Sequence, residues 1–75
     1  MNQIPGQRVR VFRWIHAREC VVKVEVEGVL LDPSDPEPYL EPDTLRHLDA
    51  IQALADAGDI ASLQAHGVVY IRRSA

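Results

Sequence analysis

Asp43 to Gly67, DTLRHLDAIQALADAGDIASLQAHG, carries two helix signals in succession, and the chain on either side of it reads as extended. Leu45, Leu48, Ile51, Leu54 and Ala55 recur at three- and four-residue spacing, which gathers them on one side of a helix. Asp43 or Thr44 is the expected N-cap, because a short side-chain oxygen can accept from the free amides of a first turn. Gly58 is expected to end this helix in the left-handed conformation. Asp59 then caps a second, short helix through Ile60, Leu63 and Gln64, which Gly67 closes. A glycine bend between two helices raises a helix-turn-helix reading. The second helix offers Ser62, Gln64 and His66 but no fixed cation, and Asp56 and Asp59 at the bend would repel phosphate. A helix pair that covers a sheet is the better reading.

The remaining segments supply that sheet. Arg8 to Trp14, RVRVFRW, alternates, with Val9 and Val11 on one face and Arg8, Arg10, Phe12 and Trp14 on the other. The turn that should follow is poorly signalled, since Ile15 to Glu19 holds no Gly, Pro or Asn. In ECVVKVEVEG, Cys20, Val22, Val24 and Val26 share one parity and Lys23, Glu25 and Glu27 the other, the pattern of an antiparallel strand with one buried face. Gly28 predicts a bulge or bend before Val29, Leu30 and Leu31. Four of the five prolines fall in Asp32 to Pro42, which excludes helix and central strand and leaves an acidic, extended connection. Tyr39 and Leu40 are its large apolar residues; they either pin it over the core edge or form an exposed anchor. Val68 to Ile71 reads as a last short strand, ended by Arg72 and Arg73.

The order strand, strand, helix, short helix, strand predicts a two-layer α+β domain of ββααβ order. Its three-stranded, mainly antiparallel sheet is covered on one face by one long and one short helix. The strand from Cys20 is placed in the middle, where Glu25 and Glu27 can meet arginines of both neighbours. Seventy-five residues allow a single domain, 1–75, with a loose leader over 1–7 and the proline-rich acidic loop over 32–42. A chain of this length buries only about 60% of its unfolded surface, which makes pairing with a second copy an expected route to further burial. The N-terminus has no long apolar run, so neither a signal peptide nor a membrane span is expected and a cytoplasmic location is the default. The net charge of −3 is unevenly spread: from Glu25 to Asp59 there are ten acids against Arg46 alone, whereas both ends are basic.

No enzyme, cofactor or metal is expected. His16, His47 and His66 lie in three different elements, and Asp43 with His47 four residues on makes only two ligands. Cys20, the lone cysteine, falls on the apolar parity of its strand and should be a buried thiol. Gly6, Gly28, Gly58 and Gly67 form no phosphate-binding pattern, and the acids of the proline-rich loop lack the glycine spacing of a calcium loop. The expectation is therefore a small protein-interaction module that self-associates or binds another protein, with Phe12, Trp14, Tyr39 and Leu40 as anchors. The alternative is binding of RNA or single-stranded DNA through a basic–aromatic strand face with Arg8, Arg10, Arg13, Arg72 and Arg73. The acidic total favours the former.

Overall fold

The computed structural model describes residues 6–73. Three strands, β1 (Gln7–His16), β2 (Cys20–Leu30) and β3 (Val68–Ile71), form one antiparallel sheet in the order β1-β2-β3. Between β2 and β3 lie the helices α1 (Pro42–Asp56) and α2 (Ile60–Leu63). The α+β class, the ββααβ order and the central position of β2 are those the sequence predicts. Of the expected leader, residues 1–5 lie outside the described residues, and Gln7 already belongs to β1. β1 also runs two residues past Trp14, so that a three-residue link, Ala17 to Glu19, suffices to reach β2. The Ala17 amide donates to the Cys20 carbonyl at 2.9 Å and closes this hairpin without a glycine.

β2 organises the core. Cys20, Val22, Val24 and Val26 are buried on one face, as period-two alternation requires, and Ile15 of β1 joins them. Ile51 and Ala55 of α1 and Leu63 of α2 close over them, with Leu48, Leu54, Ile60 and Val69 at the margin. Leu45 does not share in this. At 3.6 residues per turn it lies roughly 100° round the helix from the direction set by Ile51 and Ala55, and it stays exposed.

Three sequence signals work differently from expectation. The N-cap of α1 is Glu41, which makes no side-chain cap bond, and Pro42 opens the helix. A proline at the first helical position has the required φ and lacks only an amide that would be unpaired there, so Asp43 falls inside the first turn. Gly28 forms no bulge: the β1–β2 register runs unbroken from Gln7↔Leu30 to His16↔Val21. It is small because the connection returns over it, and a Cβ there would stand 2.6 Å from the Pro38 side chain. Gly67, expected to close α2, lies beyond its C-cap, Gln64, where a Cβ would run into the Lys23 carbonyl.

Gly58 acts as the sequence predicts. It has φ +71°, its amide donates to Ala55, and the Asp59 amide reaches back to Leu54. These two bonds satisfy carbonyls of the last turn of α1 and turn the chain into α2. The Asp59 carboxylate then accepts from the Ser62 amide. Gly58→Ala should destabilise the fold by about 1 kcal/mol, the cost of a Cβ at positive φ. Denaturant titration measures this, and an unchanged midpoint would contradict the cap.

Candidate functional site

Apart from its end at Val29, which is fully buried, the second face of the sheet has no helix over it among the described residues. Strand parity places Arg8, Arg10, Phe12, Trp14 and His16 of β1 on it, with Val21, Lys23, Glu25 and Glu27 of β2 and Val68 and Tyr70 of β3. Its two ends differ in chemistry.

At one end the charges are paired. Arg8 reaches across β2 and donates to Glu27 and to Glu41, each at 2.6 Å. The two carboxylates, Glu41 foremost, hold its guanidinium pKa above the ordinary arginine value. Arg10 pairs with Glu25 at 3.0 Å. The expected meeting of β1 arginines with Glu25 and Glu27 is therefore present. Arginines after β3 do not join it: Arg72 instead donates to the Ala17 carbonyl at 2.9 Å and approaches the His16 ring.

The other end is apolar and aromatic. Phe12, Trp14 and Tyr70 remain 51%, 53% and 50% exposed, although all three stand on regular strands. Trp14 and Tyr70 meet across β2 with ring centroids 6.0 Å apart at 38°. The Lys23 ammonium lies 4.3 Å from the Phe12 centroid and 5.7 Å from that of Trp14. Ring pairs of this kind contribute about 0.5–1.5 kcal/mol and exposed cation–π contacts about 0.5–1 kcal/mol, enough to align the side chains without burying them. Val68 extends the patch and is more than half exposed.

The remaining anchors expected from the sequence stand apart. Tyr39 forms an isolated bridge with Val29 through reciprocal backbone bonds of 2.8 Å and keeps half its surface exposed. Leu40, next to it, packs against the core. Two acidic side chains shape the start of this connection. Asp35 accepts from the amides of Leu31 and Asp32, and Asp32 accepts from the amide and hydroxyl of Ser34.

The five arginines of the nucleic-acid reading do not converge. Arg8 and Arg10 are held by carboxylates, and Arg13 lies on the opposite parity with its guanidinium on the Phe12 carbonyl. Arg72 and Arg73 lie past the end of β3 and line a groove of about 480 Å3 with Arg18, Glu19 and Ile71. Cys20 is fully buried, as its parity predicts. His47 and His66, distant in sequence, meet edge to face with centroids 5.4 Å apart. Among the described residues no three potential metal ligands come together, and no helix is long and apolar enough to cross a membrane.

Sequence reasoning found Phe12 and Trp14 but missed Lys23, Val68 and Tyr70. A signal existed in the alternation of β3, where inward Val69 forces Tyr70 outward, but only the register Val21↔Tyr70 brings it beside Trp14. Comparison of the chain with family models, curated proteins and solved structures gives no match.

The Ser34 amide and hydroxyl hold the Asp32 carboxyl below its usual pKa. A depressed carboxyl stabilises the turn above the unfolded pKa and loses that contribution as pH falls through the folded one. The Ser34 amide resonance should therefore titrate below the ordinary aspartate range. A midpoint at the ordinary value would contradict the bond.

Proposed function

We propose that the protein is a small non-enzymatic interaction module that self-associates through the aromatic end of its open sheet face. The observation that supports this reading is the cluster of Phe12, Trp14 and Tyr70, half exposed side by side and drawn together by Lys23. Aromatic side chains on a rigid sheet lose little conformational freedom on binding and supply most of the energy at interfaces. Tyr39 offers a further exposed ring near the charged end of the sheet.

Magnitudes set the expected strength. Three half-exposed rings present roughly 300 Å2 per copy, so two copies remove about 600 Å2 from water, worth up to about 15 kcal/mol. Association itself costs about 4–15 kcal/mol. Contact limited to these rings also falls well short of the roughly 1,600 Å2 of a standard interface. A weak, reversible dimer follows, with a dissociation constant on the order of 10–100 μM.

Protein binding is favoured over nucleic-acid binding because the arginines that would meet phosphate are dispersed. Two of the five, Arg8 and Arg10, are already in ion pairs. An RNA strand on the same rings would have Lys23 as its nearest cation without a carboxylate partner among the described residues.

Trp14→Ala should weaken self-association at least roughly tenfold in sedimentation equilibrium, while costing less than about 1 kcal/mol of stability in denaturant because the ring is half exposed. Equal loss of both would assign Trp14 to the fold. An unchanged association constant would place the contact elsewhere.

A further inference from the structure

β2 is paired with β1 from Val21 to Leu30, but its other edge is only partly covered. β3 pairs with Cys20 to Lys23, and Tyr39 bridges Val29. Between them, residues 24–28 have no strand neighbour on that edge among the described residues. Lys23 and Val29 are six residues apart, so the gap spans roughly 20 Å.

The direction of the free backbone groups follows from the ladder. In an antiparallel pair the amide and carbonyl of one residue point to the same neighbour, and successive residues alternate. Val29 exchanges both its bonds with Tyr39, away from β1. With no break in register, Glu27 and Glu25 point the same way, into the gap. Val24, Val26 and Gly28 pair with Arg13, Val11 and Val9 on the β1 side. Two amides and two carbonyls in a row are thus presented to solvent at an edge of the central strand. Such an edge is a template for one more strand.

The gap is shaped as well as unpaired. A groove of about 260 Å3 lies along it, lined by Glu25, Val26 and Glu27 from β2 and by Asp43, Thr44 and His47 from the first turns of α1. The lining holds three carboxylates and neither Lys nor Arg. Their present partners come from outside it: Arg8 and Arg10 from β1, and Arg46 for Asp43.

We infer that this notch is a second binding site, which accepts a short extended segment of a basic partner protein as an added strand. Register fixes the segment's chemistry. Residues opposite Glu25 and Glu27 stand about 4.5–5.5 Å from them on the open face, where Lys or Arg is favoured. The residue between them, opposite Val26, faces the start of α1 and is small and apolar. The pattern is cation–apolar–cation over three residues. β3 at one end and Tyr39 at the other wall off the notch, so a terminal tail or a loop fits it and the long edge of another folded sheet does not. A second copy's β1 has the right side chains in Arg8, Val9 and Arg10. It is excluded as a ten-residue strand built into its own sheet.

The site is independent of the aromatic patch and is tested by amide hydrogen exchange on the full chain. In the free protein, the Glu25 and Glu27 amides should exchange at least roughly 100-fold faster than those of Val24 and Val26. The probe peptide acetyl-Lys-Val-Lys-Val-Lys-amide should slow the two fast amides at least roughly tenfold at saturation. The same peptide with glutamates for lysines should not, and neither should a version N-methylated at alternate amides. Protection of Glu25 and Glu27 already present in the free protein would overturn the proposal, because the edge would then be occupied by this chain or by another copy. So would equal protection by the glutamate peptide, or by the N-methylated one, since the first removes charge selection and the second removes strand pairing. Absence of protection by the lysine peptide would overturn it as well.

Discussion

The backbone ladder of β2 is the constraint on which the other features rest. It gives β1 its ten-residue partner, supplies the valines that α1 and α2 cover, and seats β3 and Tyr39 on its far side. Since side chains alternate, burying Cys20, Val22, Val24 and Val26 obliges Val21, Lys23, Glu25 and Glu27 to face the other way. A slip of one residue would exchange the two sets, placing three charges in the core. The register is therefore strongly specified, and the composition of the open face follows from the composition of the core.

That open face is divided along its length. Toward the chain's start, Arg8 and Arg10 meet Glu25, Glu27 and Glu41, a set of side chains satisfied within the molecule. Toward the hairpin, the aromatic rings and Lys23 satisfy each other only in part. The Arg8–Glu41 pair is partly buried, and the more exposed pairs with Glu27 and Glu25 contribute about 0–1 kcal/mol each. Half-exposed rings retain apolar area whose burial is favourable, and this difference is why the proposed self-association is placed on the second half.

Much of the fold was legible because local signals and tertiary demands agree. The alternation of Cys20 to Val26 and the Gly58-Asp59 pair each state the structure that forms. Where the sequence misled, one residue type served a different physical need. Pro42 starts α1 instead of merely preceding it. Gly28 and Gly67 are small because other backbone or side-chain atoms come close, with no bulge and no helix cap there. The surface was less legible. Phe12 and Trp14 declare their parity in the sequence, but the meetings with Tyr70 and Lys23, and of His47 with His66, depend on a register that links distant segments. The gap beside Glu25 and Glu27 likewise depends on where a four-residue strand settles against one of eleven.

Trp14 is the one tryptophan of the chain, so its fluorescence reports the open face directly. Emission recorded across a concentration series, alongside mass by light scattering, tests whether that face is the one that binds. Self-association through that face should shift the emission to shorter wavelength along the same curve as the rise from monomer to dimer. A doubling of mass with emission unchanged from that of a water-exposed indole would contradict it, as would a constant monomer mass over the whole series.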